Sequence, residues 1–222
     1  MADGMSAAVL YAAVTMVASY LICGIPFGKI IIALTMHKDI QKEGSGNIGT
    51  TNALRVGGPK VAALTLAFDL LKGMVCVMVF RDVVIGGNSW TPDVPVDLMV
   101  ALVALSALYG HIFSPYLKFH GGKGIATGVG ILFGFCWPLA LIHLAIFIVL
   151  VALTRYVSVG SIATAAVVPL TVHLAFPDLP LAALAVWALL GWTVVWAHRG
   201  NISRLRAGTE SKLSLKKKGE PK

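Results

Sequence analysis

The residues best equipped for chemistry lie between 44 and 58, in Gly44-Ser45-Gly46-Asn47-Ile48-Gly49-Thr50-Thr51-Asn52-Ala53-Leu54-Arg55-Val56-Gly57-Gly58. Glycines let a backbone turn tightly and bring bare N–H groups to an oxyanion, while Ser45, Asn47, Thr50, Thr51 and Asn52 add side-chain donors. Arg55 can clamp a phosphate or carboxylate through two parallel hydrogen bonds. A second basic, glycine-rich stretch, Lys118-Phe119-His120-Gly121-Gly122-Lys123-Gly124-Ile125-Ala126-Thr127-Gly128, leads into an apolar run. It follows the logic of a phosphate loop, with backbone donors at a helix N-terminus, Lys123 as a point charge and Thr127 in the first turn. It is not a Walker loop, because the Gly-x4-Gly-Lys-Ser/Thr spacing is missing and no strand precedes it. A third cluster, His198-Arg199-Gly200-Asn201 with Arg204 and Glu210, follows the last apolar run. His198 is a candidate general base, since a histidine at a membrane surface can titrate near neutral pH. A basic membrane anchor needs neither Asn201 nor Glu210.

The elements that must position these groups are apolar. The chain is 57% hydrophobic and 13% charged, with a mean hydropathy of +0.83, against about 25% charged residues in soluble domains. These values predict an all-α, polytopic membrane protein. The net charge of +8 is gathered in short segments between apolar runs and in the tail, which argues against nucleic acid. Cys23, Cys76 and Cys136 lie inside apolar runs without metal-ligand spacing, so neither a metal site nor a disulfide framework is expected. A signal peptide is excluded because the first five residues carry Asp3 and no Lys or Arg.

In chain order, residues 6–34 form a first span bent at Gly24-Ile25-Pro26. A motif loop occupies 35–60. Residues 61–80 form a second span in which Asp69 and Lys72, three apart, share one helical face. Charges there are costly unless they pair or face a polar cavity. Asp93 and Asp97 mark the next loop, and 98–117 form a span containing His111. The run 125–153 is too long for one ordinary crossing and is read as two short spans broken near 134–138. A polar turn at 154–158, an apolar run to Phe176, the Pro177-Asp178-Leu179-Pro180 turn and a final span over 181–197 complete the chain. About seven spans result. With two crossings in 125–153, the segments 35–60, 118–124, 154–158 and the tail share one face and hold nearly every positive charge outside the membrane core, against Arg81 alone opposite. That face is cytoplasmic and the N-terminus lies outside. Residues 1–210 form a single catalytic transmembrane domain with active-site loops on the cytoplasmic face, and 211–222 a basic cytoplasmic tail.

These motifs resemble the bacterial acyl-phosphate:glycerol-3-phosphate acyltransferase family of integral membrane enzymes. The resemblance rests on Gly44 to Asn52 with Arg55, on Gly121 to Thr127, on Arg155-Tyr156-Val157-Ser158 with Ser161, on His198 to Asn201 with Arg204, Gly208 and Glu210, and on Asp69-Leu70-Leu71-Lys72-Gly73. It covers almost the whole chain in order. Thr50 stands where alanine is usual, and Gly200 where a larger polar residue is common. The resemblance implies a fatty acyl phosphate donor, glycerol 3-phosphate as acceptor, lysophosphatidic acid and phosphate as products, and an early step of phospholipid synthesis at the bacterial inner membrane. It implies no metal or other cofactor, contact with membrane lipid, and a soluble partner that makes acyl phosphate. Ser45, Arg55, His198, Asn201 and Glu210 are then catalytic. Gly46, Asn47, Thr51, Asn52, Lys72, Gly121, Gly122, Lys123, Gly124, Thr127, Arg155, Ser158, Ser161 and Arg204 bind substrate or phosphate.

The residues agree with that chemistry. An acyl phosphate is an activated mixed anhydride, so binding the leaving phosphate and positioning the acceptor hydroxyl can supply most of the rate without a strong protein nucleophile. Proton transfer falls to His198 or to a substrate phosphate oxygen. His111, His143 and His173 read as core histidines. His173 and Asp178 fit the His-x4-Asp pattern of acyl-CoA-dependent acyltransferases, yet on this topology they face away from the phosphate-type loops. Two other classes are compatible with parts of the sequence. A transporter of a phosphorylated or anionic solute would use Asp69 and Lys72 as pathway residues, and a lipid-headgroup transferase would need several intramembrane aspartates for metal.

Overall fold

A computed structural model describes residues 2–86 and 96–213, with side chains from Val9 onward except those of 84 and 85. Its described residues form helices joined by loops, with no strand among them. Helix α1 (Ala2–Gly24) stops at Gly24-Ile25-Pro26 and α2 (Phe27–Met36) resumes. The carbonyls orphaned at this break are satisfied from neighbouring elements: Ser114 donates to Gly24 O at 2.6 Å and Lys72 to Ile25 O at 2.9 Å. Unpaired carbonyls in an apolar medium would cost several kcal/mol each.

Helix α3 (Thr50–Met78) begins inside the first motif, earlier than a loop over 35–60 would allow. The motif is therefore a loop only as far as Gly49, and Arg55 sits on a helix. Gly58, at φ 79°, breaks α3 into a short first segment and a long second one that restarts at Pro59. A wider-turn extension, Val79–Ile85, continues α3. Helix α4 (Val96–Ile112) takes in Asp97, which lies in its first turn instead of a loop, while Asp93 falls outside the described residues. The 125–153 run is divided at Cys136 into α5 (Ile125–Phe135) and α6 (Trp137–Thr154). There follow α7 (Val157–Ala166), α8 (Val168–Ala175), α9 (Leu181–Ala197) and α10 (Arg199–Arg206).

Among the described residues four helices are long and apolar enough to cross a membrane, or six if the bent pairs α7–α8 and α9–α10 each count as one. Helix α5, at 11 residues, is about 16 Å long against a hydrocarbon core of about 30 Å. It lies along α3 through glycines: a Cβ at Gly130 would strike Leu70 O, one at Gly134 would come within 2.6 Å of Met74 O, and one at Gly73 would strike Thr127 O. Small residues of this kind let membrane helices approach backbone to backbone. The hydrophobic core draws on α1 and on every helix from α3 to α9, with Leu108, Ile131 and Trp187 fully buried. Many large apolar side chains point outward, among them Leu34, Leu153, Leu181 and Trp192, as a bilayer-facing surface requires.

Candidate active site

The first loop is organised by Asn52, on the opening turn of α3. Its side-chain carbonyl accepts from Ser45 N at 2.9 Å, and its amide nitrogen donates to Glu43 O at 3.0 Å, Asn47 O at 2.8 Å and Ile40 O at 3.3 Å. Asn52 is buried, so it shapes the loop instead of offering donors to a ligand. Gly44 and Gly46 hold φ of 58° and 71°, the left-handed turns that tighten the chain around it. Gly46 N donates to Glu43 O at 2.9 Å. The amides of Ser45 and Gly46 are thus spent within the loop, and the Ser45 hydroxyl is left exposed.

The second loop is seated on the end of α4. Gly121 N donates to Ile112 O at 2.9 Å and Gly122 N to His111 O at 3.1 Å, so these two amides are not the bare donors that a phosphate cradle would use. Both positions are glycine because a Cβ at Gly121 would strike His111 O and one at Gly122 the His111 ring. Gly124, at φ 84°, turns the chain into α5 and leaves that helix's first-turn amides pointing outward. Thr127 is fully buried against Gly73 and its hydroxyl has no partner in the chain, which removes it from any ligand surface.

Lys123 projects from this turn toward α10. Its Nζ donates to Asn201 Oδ1 at 2.5 Å, Asn201 Nδ2 donates to Glu210 Oε1 at 2.6 Å, and Arg204 Nε donates to Glu210 Oε2 at 2.7 Å. Three separate segments are thereby locked together around one carboxylate whose side chain is only 8% exposed. Burial and the charges of Arg204 and Arg55, opposed by Glu210, bring the Lys123 pKa down to about 8. Partial burial works against Glu210 ionising, but hydrogen bonds from Asn201 and Arg204 outweigh it and hold its carboxyl below the usual range. Ser158 is buried with its hydroxyl directed at the same carboxylate, without completing a hydrogen bond.

His198 caps α9. Its Nδ1 lies 2.8 Å from Val194 O, and since a carbonyl only accepts, Nδ1 carries the proton and Nε2 the lone pair. Burial, with the nearby Lys123 charge, lowers its pKa to about 4. The expectation of a histidine titrating near neutrality is thus corrected, because the ring is 3% exposed.

A cavity of about 320 Å³ opens where these segments meet, lined by Ser45, Gly46, Asn47, Lys123, Ala197, Arg199, Gly200, Asn201 and Arg204. Arg55 is exposed on α3, makes no hydrogen bond, and is close enough to Lys123 to depress its pKa. Thr51, half-buried beside Asn52, does not line the cavity. Neither does Ser161, buried in α7. Arg155 turns outward at φ 63°; its carbonyl accepts from Leu213 N at 2.7 Å, so it clasps the tail. Lys72 is withdrawn into an ion pair with Asp69 at 2.7 Å, both buried. His111 and His143 are core residues, but His173 is exposed on α8. His173 and Asp178 lie near the opposite end of α9 from the cavity, roughly 25 Å away by helix length. Arg199, stacked on Trp196 at 4.0 Å, lines the cavity although its place in the third motif carried no site role in the sequence. No cluster suited to a metal ion occurs among the described residues.

The fold has close counterparts among known proteins. The glycerol-3-phosphate acyltransferase family model matches residues 13–208. The chain belongs to the glycerol-3-phosphate acyltransferase family. Relatives carrying that name include proteins of Bartonella henselae, 38% identical over 91% of this chain and 92% of the relative, and of Trichlorobacter lovleyi, 43% identical over 88% and 94%. The solved structure of PlsY (YgiH), an integral membrane glycerol 3-phosphate acyltransferase in its glycerol 3-phosphate form, superposes with a TM-score of 0.81 at 29% identity, covering 91% of this chain and 96% of that one. Its lysophosphatidic acid form gives 0.78 at 28% identity, covering 91% and 95%. This family member is therefore a multi-pass membrane acyltransferase, with its glycine-rich and basic segments gathered at one end of the helix bundle.

Proposed function

We propose that this protein transfers a fatty acyl group from acyl phosphate to the hydroxyl of sn-glycerol 3-phosphate, giving 1-acylglycerol 3-phosphate and inorganic phosphate. The observation that carries the reading is the cavity itself: Lys123, Arg199 and Arg204 line it with Arg55 nearby, and Glu210, the carboxylate that ties Asn201 and Arg204, sits behind them. That balance selects an anion. Its volume of about 320 Å³ lies at the small end of ligand pockets, about 300–1,000 Å³. It suits a glycerol phosphate and a phosphoryl head, and its lining offers no aromatic ring on which an adenine could stack.

In this reading the acceptor hydroxyl attacks the acyl carbon, the new ester C–O bond forms, and the acyl–phosphate bond breaks with phosphate leaving. Lys123 and the arginines neutralise the phosphates, while Ser45 and Asn47 offer donors on the loop side. The proton goes to a phosphate oxygen. A phosphate dianion, with a pKa of about 6, is the stronger base, because His198 is held at about 4; His198 serves as an orienting acceptor through Nε2. Ser45 has no base hydrogen-bonded to it, which disfavours an acyl-serine. The transporter alternative loses its pathway residues, since Asp69 and Lys72 neutralise each other out of contact with the cavity. The cytoplasmic placement of this end, with the N-terminus outside, follows from its basic loops. Turnover of glycerol 3-phosphate with palmitoyl phosphate, beside palmitoyl-CoA and acyl carrier protein thioesters, tests the assignment. Equal use of palmitoyl-CoA would overturn it.

A further inference from the structure

Asp69, Lys72 and His111 form a buried polar group that the reaction above does not use. Their exposures are 1%, 6% and 3%. Lys72 Nζ reaches Asp69 Oδ1 at 2.7 Å and Ile25 O at 2.9 Å, and His111 Nδ1 stands 3.7 Å from the same Asp69 oxygen. Replacing such a pair by apolar residues is often neutral or stabilising, so stability alone explains it poorly. Its connections explain it better. Through Ile25 O it holds the α1–α2 break, which aims α2 at the loop bearing Ser45. Through His111 it supports the other loop: Gly122 N bonds His111 O, and Gly122 packs so tightly on the imidazole that a Cβ there would overlap Nε2. The next residue is Lys123.

The geometry points to the Asp69–Lys72–His111 triad as a positioning device that fixes the Lys123 loop relative to the Ser45 loop, and so sets affinity for glycerol 3-phosphate without touching it. The three side chains act through the backbone at Ile25 and Gly122. The link to affinity rests on Lys123 being part of the acceptor site; the placement of the loop does not.

The test uses the full-length protein purified in detergent. Asp69→Asn/Lys72→Met exchanges the ion pair for neutral residues of similar shape, with folding checked by thermal melting. This variant should stay folded, melting lower because Ile25 O loses its Lys72 donor, and raise KM for glycerol 3-phosphate about ten- to a hundredfold, the scale of an ångström misplacement, with a smaller change in kcat. His111→Ala should act in the same direction, and His111→Phe, which restores a ring beneath Gly122, should recover most of the loss. Labelling of Lys123 by an amine-reactive ester, read by mass spectrometry without substrate, should rise severalfold in the first two variants and return toward wild type in the third. That readout is independent of the reaction, so a failed activity assay and a failed triad are told apart. Wild-type KM and wild-type Lys123 labelling in a folded double variant, or in His111→Ala should the double variant not fold, would reduce the triad to helix packing and overturn the proposal.

Discussion

Lys123 gives the most exposed test of the proposed site. Its amine is half-buried between Asn201 and the charges of Arg204, Glu210 and Arg55, which together with burial set its pKa at about 8. A charge-assisted contact to a substrate phosphate contributes about 1.5–3 kcal/mol, so Lys123→Ala should weaken glycerol 3-phosphate binding about tenfold to a hundredfold. The effect should appear mainly in KM if ground and transition states lose it equally. The pKa adds a second signature. Glycerol 3-phosphate is already a dianion above pH 7, so a fall in kcat/KM centred near pH 8, approaching tenfold per pH unit, reports Lys123 losing its proton in the free enzyme. That inflection should vanish in Lys123→Ala. Stability should move the opposite way. A lysine whose folded pKa lies below its unfolded value near 10.4 destabilises the fold while charged, and the penalty is relieved between about pH 8 and 10.4 because the unfolded state binds more protons there. This one group should therefore add stability with rising pH, up to about 2–3 kcal/mol after allowance for its exposed part, and the gain should be absent in the alanine variant. A flat kcat/KM from pH 7 to 9 in wild type, or unchanged KM and kcat in Lys123→Ala, refutes the reasoning.

Ser45→Ala and Arg55→Ala should depress kcat more than acceptor KM if these residues meet the reacting acyl phosphate; a pure KM effect in both would reassign them to the acceptor. Asn52→Ala removes the hub of the first loop, four hydrogen bonds in all, and should cost about 2–4 kcal/mol, seen as a lower melting temperature together with lost activity; a folded, active variant would contradict the hub. Single cysteines introduced in a cysteine-free background should be labelled from outside at 93 and 178 but not at 42 and 212, and periplasmic labelling of 212 would invert the topology.

The helical membrane architecture was legible because it is written in composition and charge placement, and the one-sided basic segments anticipated which loops would meet. Side-chain assignments within those segments were less legible. A glycine-rich run reads alike whether its amides face a ligand or its own backbone: Gly121 and Gly122 proved to be glycine because His111 lies underneath them. Asn52 looked like one donor among several, and only the folded loop shows its whole amide consumed by Glu43, Asn47, Ile40 and Ser45. Arg155 and Lys72 carry charges that a sequence cannot partner without knowing that Leu213 O and Ile25 O are adjacent. His198 was placed at the right helix end, but its basicity depends on a burial that no local pattern encodes.

The half-length helix α5 ties the fold to the chemistry. Its contacts with α3 include Thr127 beside Gly73, Gly130 beside Leu70, and Gly134 beside Met74 and Val77. Lys123, two residues before α5, is half-buried at this end of the helix. Arg81, near the far end of α3, donates to Phe135 O at 2.9 Å, fixing the other end of α5. Half-burial puts the Lys123 amine where the dielectric is lower than in water, so its contact with a phosphate is stronger. In the proposed reaction a small polar cavity then needs to hold only the phosphate heads, and a long apolar acyl chain can stay outside it.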